Sequence, residues 1–300
     1  MHDLRVFRPA FFILMMVLAA PAAFAQGTSA PAKPEKPAAK SDKPAPKSDK
    51  PAGQDKPAGQ DKPAEPFEPR VGQPGKDVVW VPTPQALVDK MLDMAKVTPN
   101  DLLMDLGSGD GRTVITAAKR GLKAIGVEYN PDMVELSKKA AIKEGVADRA
   151  TFVQADLFKT DLSKAQVITM FLLPSINMQL RPTILDLKPG TRIVSNTFTM
   201  EDWQADETQS AGENCSSWCT ALLWIVPAKV QGTWKTPQGN LTLTQQFQML
   251  TGTLNGTAIS NGKMNGDQIS LTAGTTTYNG KVNAAGTAIA GGNLTATKVN

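Results

Sequence analysis

The chain has 300 residues, 32 Lys and Arg against 28 Asp and Glu, 41 % apolar residues, two cysteines and one histidine. That length suits one large domain or two modest ones. Two cysteines exclude a disulfide-dense scaffold and a four-thiolate zinc site. His2 lies in the first segment, so Ser-His-Asp, Cys-His and His-ligated zinc chemistry are excluded from the rest of the chain.

Residues 1–25 read as a cleavable export signal: Arg5 and Arg8 give a basic start, Ala10 to Ala20 is an apolar run, and Ala23-Phe24-Ala25 offers small residues before Gln26. The run is too short for a comfortable membrane span. The expected destination is the periplasm or the exterior. Residues 26–76 read as a disordered Pro/Lys/Ala-rich tether, because 10 of the 22 prolines and eight lysines fall between residues 26 and 70, where KPAGQD is repeated in tandem. Such a composition buries too little apolar surface to offset chain entropy.

Residues 77–227 alternate strand-like and helix-like segments. Helical spacing covers Leu87–Ala95, and DLLMDLG (101–107) reads as a strand ending at glycine. KAIGVEY (123–129), ATFVQAD (150–156), QVITMFLL (166–173) and Thr191–Asn196 read as further strands. Between them lie helices at Thr113–Arg120, from Asn130-Pro131 to Glu144, and at Met178–Leu187. WCTALLWIV (218–226) reads as an arm of a closing hairpin. This order predicts an α/β fold with a parallel sheet and helices on both faces.

In such sheets ligands lie beyond the carboxyl ends of the strands. Three groups fall there. Asp105-Leu106-Gly107-Ser108-Gly109-Asp110-Gly111 forms the first strand-to-helix turn, where glycine lets the backbone approach a ligand. Glu128 ends the second strand and suits a ribose diol, and Asp156, followed by Leu157 and Phe158, ends the third and suits an adenine amino group. Together they predict nucleoside binding. The G-x-G-x-G spacing and the flanking Asp105 and Asp110 disfavour a pyrophosphate, which uses G-x-G-x-x-G, and favour a ligand carrying an ammonium and a sulfonium.

On these motifs, residues 80–206 resemble the class I, seven-strand S-adenosylmethionine-dependent methyltransferases, whose fold is a Rossmann-like sheet. VPTPQALVDKML, DLGSGDGR, TMFLLP and LKPGTRIVS are similar to the lysine methyltransferases related to those acting on the ATP synthase c-subunit. The resemblance implies S-adenosyl-L-methionine as cofactor and a protein lysine as acceptor. It implies that Gly107, Gly109 and Gly111 pack against the methionine part and that Asp105 orients its amino end. Glu128 would bind the ribose, Asp156 and the Leu157 backbone the adenine, and Thr83 the methionine carboxylate. Thr169, Phe171 and Pro174 would line the methyl-transfer face. The absence of an Asn-Pro-Pro-Tyr element argues against methylation of DNA bases. Two other readings stay open: an exported, non-catalytic nucleoside-binding scaffold, and a small-molecule methyltransferase. Export also sits awkwardly with a cytoplasmic cofactor.

After Pro227 the composition shifts. Residues 228–300 hold 11 glycines, 14 threonines and four Asn-Gly dipeptides, which predicts a small antiparallel meander or barrel. Neither block reads as a nucleic-acid surface: residues 71–227 carry 16 basic and 19 acidic residues. Cys215 and Cys219 are either a disulfide across a tight turn or two free thiols, and no metal site is expected.

Overall fold

The computed structural model describes residues 67–213 and 215–299, so the expectations for the signal and for the tether up to residue 66 lie outside the described residues. Composition assigns 67–76 to the tether, but this stretch takes part in the fold. Pro74 bridges Val79, and the Gly72 N–H donates to the Trp80 carbonyl at 2.8 Å, so Gln73–Trp80 doubles back as a short strap.

A seven-stranded sheet follows, built from β1 (Leu102–Leu106), β2 (Lys123–Glu128), β3 (Ala150–Gln154), β4 (Val167–Met170), β5 (Arg192–Asn196), β6 (Glu207–Ser210) and β7 (Thr220–Ile225). Their spatial order is β3-β2-β1-β4-β5-β7-β6. Strands β1 to β5 pair in parallel, while β7 runs antiparallel to both β5 and β6. Helices α1 (Gln85–Met94), α2 (Arg112–Lys119) and α3 (Pro131–Lys143) share one apolar core with Leu103, Ala124 and Val167. Helix α4 (Pro174–Leu185) packs in the opposite core with Met104, Ile168 and Trp224. Alternate residues of each central strand therefore feed two cores, which is why β4 is buried along its whole length.

Two boundaries differ from the sequence expectation. The fourth strand ends at Met170, and α4 starts four residues early, at Pro174, because proline is preorganised for the first helical position. Phe171–Leu173 thereby becomes a loop at the carboxyl edge of the sheet.

Residues 232–298 form a closed antiparallel barrel of eight strands: β8 (Gly232–Thr236), β9 (Gly239–Gln246), β10 (Met249–Leu254), β11 (Thr257–Asn265), β12 (Gln268–Ala273), β13 (Thr276–Val282), β14 (Ala288–Ala290) and β15 (Ala296–Lys298). Side chains fill its interior, with Trp234, Leu241, Leu271 and Ile289 all buried, as expected of an eight-strand barrel. Only part of the Asn-Gly signal marks hairpins. Asn255-Gly256 is a two-residue turn with φ of 47° and 81°. Asn261-Gly262 instead lies at a register break inside β11, and Asn279-Gly280 lies inside β13, where a Cβ on Gly280 would meet Ile289 at 2.6 Å.

Candidate active site

The order of strands reverses direction between β1 and β4, and a cleft of about 470 Å³ opens at their carboxyl ends. The loop after β1 is clasped to the end of β2: the Gly107 and Ser108 N–H groups both donate to the Val127 carbonyl, at 2.9 and 3.1 Å. Glu128, at the next position, accepts from the Gly109 N–H and the Asn130 N–H, each at 2.9 Å. Its carboxylate faces the cleft and ties two loops together.

Asp105 lies at the floor. Thr169 Oγ1 donates to its Oδ1 at 2.6 Å. Burial pushes the Asp105 carboxyl up to about 7; the Thr169 hydrogen bond opposes this, and the nearby charges of Asp110 and Glu128 add to it. At the other end, Asp156 caps a single 3-10 turn (Leu157–Lys159), accepting from the Phe158 N–H at 3.0 Å. That bond and Lys76, 3.5 Å away, hold its carboxyl below the usual range. Lys76 comes from the strap and sits over the Tyr129 and Phe158 rings, at 5.4 and 5.7 Å from their centroids.

Thr83, Asp105, Gly107, Gly109, Glu128, Asp156, Leu157 and Phe171 all line this one cleft. Three expected site residues do not. Gly111 (φ 80°) caps α2 and faces inward: a Cβ there would meet Phe152 and Ser137 at 2.7–2.8 Å. It permits the helix to pack and does not line the cleft. Thr169 is fully buried beneath Asp105, and Pro174 opens α4; Leu172, Leu173 and Ile176 line the cleft in their stead.

Other residues of the site were not legible beforehand. Trp80 covers the glycine loop so closely that a Cβ on Gly109 would lie 2.5 Å from its indole nitrogen. Asn196 donates to Thr83 Oγ1 at 3.3 Å. Phe198 and Trp218 join Phe171 at one end of the cleft, and Cys215 and Cys219, their Cα atoms 5.7 Å apart, are disulfide-bonded around Trp218. Phe198 sits two residues beyond β5, an element end that does carry a sequence signal. Trp218 is brought in only by the β6–β7 connection.

The donor set fits S-adenosylmethionine. A buried carboxylate at the floor suits an ammonium and would repel a pyrophosphate, and Gly109 leaves the loop no side chain that would fill the space beneath Trp80.

Comparison with known proteins agrees. Residues 105–207 match the ANTKMT methyltransferase domain. A protein-lysine N-methyltransferase of Saccharolobus islandicus is 45 % identical over 133 residues, which span 43 % of this chain and 83 % of that protein. The chain belongs to the protein-lysine N-methyltransferases. This methyltransferase is also 38 % identical to the lysine N-methyltransferase of the ATP synthase c-subunit from Rattus norvegicus over 111 residues, 37 % of this chain and about half (51 %) of the relative. A solved structure of an RNA methyltransferase from Salinibacter ruber with S-adenosyl-L-homocysteine shows 44 % identity at TM-score 0.47, covering 50 % of this chain and 96 % of that one. The cofactor is S-adenosylmethionine.

Proposed function

We propose that this methyltransferase modifies the ε-amino group of a lysine in a protein of the cell envelope. One observation carries the reading: a single cleft runs from the carboxylates of Asp156, Glu128 and Asp105 to an apolar end at Phe171, so that a cationic donor and an acceptor side chain are housed side by side. The relationship to protein-lysine methyltransferases supports lysine as the acceptor.

When bound, the cofactor supplies a methyl group already activated by a positively charged sulfur. The chain's own part is therefore alignment and exclusion of water. Asp105 would hold the amino end and Thr83 the carboxylate, while Glu128 would accept from the ribose hydroxyls. Asp156 would accept from the adenine amino group, with Leu157 covering the ring. The acceptor lysine sheds a proton to a carboxylate, a backbone carbonyl or water, and no imidazole is needed.

Location in the envelope is supported by the N-terminal signal pattern and by the Cys215–Cys219 disulfide, a bond that persists in oxidising compartments. The test incubates the full chain with methyl-labelled cofactor and separated envelope, ribosomal and RNA fractions, followed by mass spectrometry. Label on lysine of an envelope protein is the expected result. Label confined to RNA, or to small molecules, would overturn the reading, and fractionation of cells expressing the full chain checks the location.

A further inference from the structure

Three aromatic rings meet at the apolar end of the cleft. Phe171 follows β4, Phe198 follows β5, and Trp218 lies between β6 and β7. Their centroids are 5.8 Å (Phe171–Phe198), 5.7 Å (Phe171–Trp218) and 5.4 Å (Phe198–Trp218) apart. All three line the same cleft as Asp105 and Glu128.

Trp218 is unusual among them. It remains 42 % exposed, whereas Trp203, Trp224 and Trp234 are each no more than 1 % exposed. It also takes a left-handed backbone conformation, φ 56°, which costs a bulky residue about 1–2 kcal/mol. A disulfide four residues wide brackets it. A strained, stapled and half-open indole does not serve a packed core. It serves a surface that must be presented in one orientation.

We propose that Phe171, Phe198 and Trp218 form the clamp for the acceptor side chain and that the Cys215–Cys219 disulfide holds Trp218 in place for it. This rests on the lysine reading above. The rings offer apolar area to the lysine stem and π-electron faces to its ammonium, an attraction that strengthens as methyl groups lower the cation's hydration. The clamp thus sets both acceptor affinity and how many methyl groups are added before release. A nucleobase could also stack on such rings, but residues 71–227 carry more acidic than basic residues, which disfavours a phosphate backbone.

The test uses the full chain, isotopically labelled and saturated with S-adenosylhomocysteine. The indole N–H resonance of Trp218, assigned through Trp218→Phe, is followed during titration with Nα-acetyl-lysine methylamide carrying zero to three ε-methyl groups, and separately with uridine monophosphate. A saturable shift whose affinity rises along the methyl series is expected. Phe171→Leu should weaken it roughly tenfold, and Trp218→Leu, which removes the reporting indole, should raise the acceptor KM for methyl transfer about as much. The paired Cys215→Ser and Cys219→Ser substitution should weaken it several-fold, with S-adenosylhomocysteine binding unchanged by calorimetry. Absence of a shift with all four lysine probes, an undiminished affinity in Phe171→Leu, or a response to the nucleotide alone would overturn the clamp. Because this readout needs no turnover, it is independent of the methyl-transfer assay. Graded binding without lysine methylation would sink the reaction reading and leave the clamp. Lysine methylation with an unchanged acceptor KM in Trp218→Leu would sink the clamp and leave the reaction.

Discussion

The most informative single residue is Asp105. Its carboxyl is raised from 3.8 to about 7, chiefly by burial. The folded state therefore holds this proton more tightly than the unfolded chain does. The resulting stabilisation is full below pH 3.8 and is lost as pH rises through about 7, a swing of roughly 4 kcal/mol. Asp105→Asn removes the penalty while keeping an oxygen for the Thr169 hydroxyl. The variant should unfold at higher urea than the parent at pH 8, and the gap should shrink towards pH 5. The cofactor's ammonium wants the ionised form, so parental affinity should fall by up to tenfold per pH unit below about 7, whereas Asp105→Asn should bind weakly and without that slope. Calorimetry across pH 5.5–8.5 distinguishes the two. Gly111 makes the contrasting case: Gly111→Ala forces a methyl group into Phe152 and Ser137 at a left-handed φ of 80°. A loss of about 2–4 kcal/mol in urea denaturation is expected, with cofactor affinity per folded molecule little changed.

At the level of elements, the sequence was most legible where a local rule and the global fold coincide. Asn130-Pro131 announced α3, and Asn130 Oδ1 does accept from the Asp132 and Met133 N–H groups at 2.9 and 3.4 Å. Asn130→Ala should cost about 1 kcal/mol, read as a shifted denaturation midpoint. Cofactor binding should change little, because the backbone N–H that holds Glu128 is kept in alanine. The β1 and β2 strands and the carboxylates at their ends were visible because apolar runs closed by glycine or an acid have few other readings. Pro174 and Thr169 misled because a continuous apolar run does not say where a strand stops and a loop begins. The strap and the Trp218 loop carry no periodicity at all. Only the long-range contacts of Trp80 over Gly109, and of Trp218 on Phe171 and Phe198, give them a place, and spacing along the chain does not encode such contacts. Asn-Gly overpredicted turns in the barrel because it serves equally at a register break and at close strand contacts.

At the scale of the whole molecule, the barrel is docked on the sheet unit and covers part of its core. Phe247, in the short connection between β9 and β10, has φ 52° and stacks on Trp203 at 5.7 Å, with the Arg181 guanidinium 5.2 Å from its ring. Beside it Gln248 Nε2 donates to the Gln204 carbonyl at 2.8 Å, and Lys263 pairs with Asp206 at 2.9 Å. Trp203 and Met200 are fully buried and belong to the same core as Trp224 and α4. The cleft and the barrel are separable in chemistry, since no described barrel residue lines the cleft, but they are joined in stability. Phe247→Ala removes the stack and leaves the backbone strain of a left-handed alanine. It should cost about 2–4 kcal/mol and split a single denaturation transition into two, the barrel and the sheet then melting apart. Intrinsic fluorescence reports Trp80, Trp203, Trp218 and Trp224 in the sheet unit and Trp234 in the barrel. Single-tryptophan variants of the Phe247→Ala protein therefore assign each transition. If the two probes still melt together at an unshifted midpoint, the stack does not couple the halves.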